Sequence, residues 1–159
     1  MLELYHIDRN NRLQENQTIT LFNDYSLNFG DKILEDEISK TINNQYQSGI
    51  TQHGNSWLFS ANYPSNLIET SFELIRQLHY PGMPSRFQSV FGVDKENIEK
   101  MILSIGAQNL NFKIFRVLSG EVVKLDMGLL KGANYITTTY FAHKYWSGES
   151  GKILFMNTC

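Results

Sequence analysis

The sequence predicts an α+β chain with a mostly antiparallel sheet and flanking helices. Three observations carry this. Residues 1–7, MLELYHI, alternate as a strand does, with Leu2, Leu4 and His6 on one side and Tyr5 and Ile7 on the other. Residues 65–79 and 94–105 carry apolar side chains at helical spacing, and residues 112–130 read as two strands about a Ser119-Gly120 turn. The expected order is strand, helix, helix, strand, helix, strand, strand, helix, strand, which is the pattern of an α+β fold.

The elements follow in order. After the first strand, DRNNR reads as its turn and residues 13–32 as polar, Asn-rich chain. KILEDEISKTI forms an amphipathic helix with Ile33, Leu34, Ile38 and Ile42 on one stripe. Residues 43–64 are rich in Asn, Gln, Ser and Gly and read as a long loop, so that 13–64 is partly loop or insertion. In it, His53 and Trp57 are candidates to cover a cleft, or simply lie back on the surface. Leu67, Ile68, Phe72, Ile75 and His79 mark the next helix, with Ser65 or Asn66 to cap it and Pro81 to end it. Pro84 introduces a strand over 85–93, SRFQSVFGV, with Ser85, Phe87, Ser89 and Phe91 on one side and Arg86 and Gln88 on the other. Asp94 caps a helix bearing Ile98, Met101, Ile102 and Ile105 and stopped by Gly106. Asn134 and Gly148 bracket the last helix, and KILFMN closes the chain as a strand.

Composition bounds the reading. A chain of 159 residues, 42% hydrophobic and 13% aromatic, suffices for one folded domain over 1–159. No apolar run approaches a membrane span and no leader is visible, so a cytoplasmic location is the default expectation. The single cysteine, Cys159, excludes an intrachain disulfide. The four histidines have no mutual i+3 or i+4 spacing, and neither a Gly-rich phosphate loop nor a G-x-S-x-G elbow is present. Residues 1–80 hold five Lys/Arg against ten Asp/Glu and residues 81–159 nine against six. A mildly basic second half suits an anionic ligand, although a scattered, solvated surface explains it equally.

Four stretches together, LYHIDR (4–9), PGMPSRFQSVFGV (81–93), KLDMGLL (124–130) and AHKYWSGE (142–149), resemble an uncharacterised bacterial family of the ADP-ribosyltransferase-like superfamily. The resemblance covers most of 65–150 and the first nine residues. It implies a split antiparallel sheet whose cleft binds NAD as co-substrate, and transfer of ADP-ribose to a macromolecule (protein, DNA or RNA) with loss of nicotinamide. A toxin or phage-defence effector is the implied setting, with an antitoxin as partner and no membrane. The alternative is an inactive module that keeps the fold and serves binding.

Residue by residue, the resemblance gives His6 the adenosine-side ribose, with Arg9 as a second candidate. Arg86 is a candidate pyrophosphate clamp, because a guanidinium fork matches phosphate. Ser85 and Ser89 line the nicotinamide pocket, with Phe87, Phe91 and Tyr145 as its aromatic walls. Glu149, immediately ahead of the last strand, is the candidate catalytic carboxylate. The bland alternatives are a half-buried strand histidine at position 6, an Arg86 paired with an acid such as Asp126, and aromatics at 145 and 146 that anchor a helix. Lys152 stands near the place of the family's acid, which leaves an altered or truncated site open, with Asp126 as a fallback carboxylate.

Overall fold

The computed structural model describes residues 1–59 and 65–149. It is α+β, with five α-helices and one two-stranded antiparallel sheet among the described residues. The chain divides into two compact units, Met1–Leu21 with Val90–Val122, and Phe22–Ser89 with Val123–Cys159.

In the first unit, β1 (Leu2–Asp8) pairs antiparallel with β2 (Lys113–Ser119), His6 opposite Phe115 and Leu4 opposite Val117. The alternation read from MLELYHI is therefore a real pleat. On its other side β1 meets Val93, with Tyr5 N–H to Val93 C=O at 2.9 Å and the reciprocal bond at 3.0 Å. The helix expected after Asp94 starts with a 3-10 turn (Lys95–Asn97) and continues as a short α-helix (Ile98–Ser104). Gly106, at φ +66°, ends it as expected.

The second unit holds the remaining helices, α1 (Lys32–Gln45), α2 (Gln52–Leu58), α3 (Ser65–His79) and α5 (Tyr135–Trp146), the short helix of the first unit being α4. Asp31 caps α1 by accepting from Ile33 and Leu34 N–H. Ile38 and Ile42 pack inward, whereas Ile33 is 73% exposed. Asn134 caps α5 in a reciprocal box with Thr137. Two apolar clusters result. One joins Tyr25, Ile42, Tyr46, Ile50 and Phe87; the other joins Phe72, Leu129, Ala142, Tyr145 and Trp146, with Trp146 Nε1–H donating to Phe72 C=O at 2.7 Å.

Three expectations are corrected. The 85–93 segment is not a strand: Ser85 Oγ accepts from Phe87 N–H and turns the chain into a 3-10 turn, Arg86–Gln88. Arg86 and Phe87 are both buried, which adjacent residues on a half-buried pleat cannot be. The 122–130 arm is not a strand either. Asp126 accepts from Gly128 N–H to start a 3-10 turn, Met127–Leu129, and Leu129 is buried against the helices rather than presented to β2, which pairs with β1 instead. Finally, the long loop 43–64 contains α2, nucleated by Thr51, whose side chain accepts from Gly54 N–H. The closing strand KILFMN, Lys152 and Cys159 lie outside the described residues.

Helix α2 sits hard against the 85–89 turn. Thr51 N–H donates to Phe87 C=O at 2.8 Å, and a Cβ on Gly54 would come within 2.2 Å of that same oxygen. Gly54→Ala is expected to destabilise the protein by about 1–3 kcal/mol, the scale of an overpacked interior, in urea unfolding. A loss within experimental error would mean that α2 does not dock this closely.

Candidate functional site

Helix α3 explains why the PSRF stretch folds as it does. Glu69 and Glu73 lie one turn apart on the helix and so share a face, and both are buried, at 8% and 3% exposure. Buried carboxylates require partners, and the 83–88 turn and the helix itself supply them. Arg86 forks onto Glu69, with Nε–H to Oε2 and Nη2–H to Oε1 both at 2.8 Å, and its Nη1–H donates to the Tyr145 hydroxyl at 2.8 Å. Arg76 forks onto Glu73 (Nη2–H to Oε1, 2.8 Å) and donates through Nη1 to Met83 C=O at 3.0 Å. Ser85 Oγ–H donates to Glu73 Oε1 at 2.9 Å, and the Tyr46 hydroxyl approaches the same oxygen at 3.4 Å. His53, from α2, brings its Nε2 to 3.9 Å from Glu69 Oε2 and stands edge-on to Trp57.

The electrostatics follow from this geometry. Burial pushes the Glu69 carboxyl upward, but the Arg86 fork and His53 outweigh it and hold the group down at about 2. Burial likewise works against the Arg86 charge, yet Glu69 and Tyr145 raise its pKa. The Tyr145 hydroxyl is pushed up by burial, with Arg86 opposing. Burial and the Glu73 carboxylate raise Tyr46 as well. This is a self-satisfied ionic core that fixes α3, the PSRF turn and α5 to one another.

Against that frame the sequence candidates sort clearly. Arg86 has its donors on Glu69 and Tyr145 at 3% exposure, so the ion-pair alternative describes it, with Glu69 in place of Asp126. Ser85 serves Glu73, and Ser89 Oγ–H donates to Ser85 C=O at 2.6 Å. Phe87 is a core residue against Tyr46, and Tyr145 packs edge-on to Phe72 and Trp146. His6 and Phe91 belong to the first unit, where His6 Nδ1 lies 2.7 Å from Phe91 C=O. A carbonyl only accepts, so Nδ1 carries the hydrogen, and in the neutral ring Nε2 is left as an acceptor on a half-buried strand residue. Arg9 is exposed, with a long contact of 3.4 Å to Ile105 C=O. Glu149 is exposed just past α5, held by Lys144 Nζ at 2.6 Å and by the Ser147 hydroxyl at 3.3 Å. Lys144 draws its carboxyl below the usual range.

Sequence reasoning missed Glu69, Glu73 and Arg76. The signal was present, since positions 69, 72, 73 and 76 share a face at i, i+3, i+4 and i+7 with Phe72 at its centre. Among the described residues no group of three or more His, Cys, Asp or Glu side chains is placed to hold a metal ion, and no helix is long and apolar enough to cross a membrane.

The model of the family described as "Protein of unknown function (DUF2441)" matches residues 4–156, and the chain belongs to that family. No curated protein and no solved structure matches it.

Two outcomes test the ionic core. Arg86→Met leaves Glu69 buried without its fork and is expected to cost about 3–5 kcal/mol in urea unfolding; a loss below about 1 kcal/mol would show the pair to be dispensable. The second concerns pH. Glu69 is held near 2, below its ordinary value of 4.5, so its contribution is whole above about 4.5 and drains away as pH falls towards 2. The stability of the wild type should therefore fall steeply across that window and that of Glu69→Gln, already lower, much less; parallel profiles would contradict the assignment.

Proposed function

We propose that this chain is an NAD-dependent ADP-ribosyltransferase that modifies a macromolecule. The observation that carries the reading is His6. It sits on the first strand, where the resemblance asks for a ribose-binding group, and the Phe91 carbonyl 2.7 Å from Nδ1 leaves Nε2 to accept from a ribose hydroxyl. Phe91 itself comes from the PSRFQSVF stretch, so two of the stretches that carry the resemblance meet at this hydrogen bond. The motif set spread over residues 4–149 supports the same reading.

In this reaction the bond between the nicotinamide nitrogen and ribose C1′ breaks, and nicotinamide leaves with the bonding electrons. A nucleophile of the acceptor forms the new bond to C1′ and gives up its proton. The developing charge on the ribose is oxocarbenium-like, as in glycoside hydrolysis, and an adjacent carboxylate stabilises it. Glu149 is the group proposed for this role. Its partner Lys144 would have to release it, since a carboxylate neutralised at 2.6 Å stabilises a cation poorly.

That contact also favours a second reading, an NAD-binding module without turnover. Labelled NAD incubated with the protein and a cell lysate separates the two. Transfer to a macromolecule, cut by about 10²–10³ in Glu149→Gln with affinity within a few-fold, supports the enzyme. Binding weakened by about 1 kcal/mol in His6→Ala, without transfer in the wild type, supports the module. No NAD binding by the wild type rejects both.

A further inference from the structure

We infer that the concavity between residues 22–26 and α2, in the second unit, is a nucleobase pocket whose ligand is guanine. The cavity measures about 350 Å³, within the range of small-ligand sites, and its walls come from Phe22, Asp24, Ser26, Gln52, Asn55 and Phe59. That composition is divided by chemistry. Two aromatic rings stand with one carboxylate, one hydroxyl and two amides. Planar π-faces suit stacking on a flat heteroaromatic ring, while amides and a carboxylate suit reading its hydrogen-bonding edge.

The walls are held in place before any ligand arrives. Phe22 and Ile50 exchange backbone hydrogen bonds, both at 2.9 Å, which fixes the 22–26 segment to the chain entering α2. Buried Tyr25 lies 6.4 Å from the Phe22 ring and 6.1 Å from the Phe59 ring, and its hydroxyl is anchored on Asn43 at 3.1 Å. Helix α2 is locked by Thr51 and by the close approach of Gly54 to Phe87. By contrast, the side chains of Asp24 and Asn55 take no hydrogen bond among the described residues, and Phe59 is 39% exposed. An exposed ring and two polar side chains with no hydrogen bond among the described residues, Asp24 and Asn55, are what a binding site has before it is filled.

The carboxylate selects the base. An ionised Asp only accepts, so its best partner presents two neighbouring N–H donors. Guanine does so with N1–H and its exocyclic amine, beside an O6 acceptor that the Asn55 amide can meet. Adenine and cytosine each present a single exocyclic amine beside a ring acceptor that would face the second carboxylate oxygen, and uracil offers one N–H between two carbonyls. The ligand could arrive as a free nucleotide or as a base in a single strand, and both present the same edge.

This inference does not depend on ADP-ribose transfer and is tested without NAD. Titration calorimetry with GMP, AMP, CMP and UMP, and with an oligothymidine carrying one guanine, is expected to show guanine preferred by about tenfold or more. Asp24→Asn should lose that preference, and Phe59→Ala should weaken binding of any base; both sites are exposed, and circular dichroism checks the fold. Binding of GMP alone identifies a nucleotide site, and binding only of the guanine oligonucleotide identifies a single-strand site. Absence of binding by either probe at millimolar concentration, equal binding of all four bases, or an Asp24→Asn variant as selective as the wild type would overturn the inference.

Discussion

The fork between Arg86 and Glu69 is the interaction on which the second unit depends. A guanidinium and a carboxylate carry a large desolvation penalty when buried, and only mutual, well-aligned hydrogen bonds offset it. Here both Glu69 oxygens are met at 2.8 Å, and the third arm of the fork reaches the Tyr145 hydroxyl at the same distance. One side chain thereby specifies where α3, the PSRF turn and α5 must sit. Glu73 repeats the arrangement one turn along, with Arg76 and Ser85 as its partners. Apolar packing around these pairs is ordinary, but it would tolerate sliding that the forks do not.

Within the second unit this constraint passes on to α2. The turn fixed by Arg86 presents Phe87 C=O to Thr51 N–H, which sets the start of α2, and α2 forms one wall of the guanine pocket. In the first unit, separately, the Phe91 carbonyl selects the His6 tautomer. The stretch read from the sequence as one strand is thus divided, with Ser85 and Arg86 bonded to the buried carboxylates of the second unit and the Phe91 carbonyl bonded to His6 in the first.

Much of this was legible in the sequence, and the failures have physical causes. The first strand, the helices starting at 32, 65 and 135 and the stop at Gly106 followed from periodicity and capping, which are local. The 85–93 segment alternated convincingly between Ser and Phe, yet a serine cap one residue after proline overrode the alternation and made a 3-10 turn. Residues 122–130 had strand propensity, but Leu129 found burial against α3 and α5, a tertiary outcome that propensity cannot anticipate. Helix α2 was hidden by its polar composition, since its stability comes from the Thr51 cap and docking at Gly54. Of the site, Arg86 was read as a pyrophosphate clamp or an ion-paired residue, and it is ion-paired, with Glu69; Tyr145, read as a cleft wall or a helix anchor, packs on Phe72 and Trp146. Glu69 was missed because a charged residue beside an apolar stripe reads as the solvated edge of a helix.

The central claim is that the Arg86–Glu69 fork acts as a unit. A double-mutant cycle built from Arg86→Met, Glu69→Leu and the double variant measures it most directly, by urea unfolding at neutral pH. The account predicts strong coupling of about 2–3 kcal/mol, with the double variant more stable than the sum of the two single losses implies, because it leaves no buried charge without its partner. Additive losses, with coupling below about 0.5 kcal/mol, would contradict it and leave apolar packing as the only organiser of this unit.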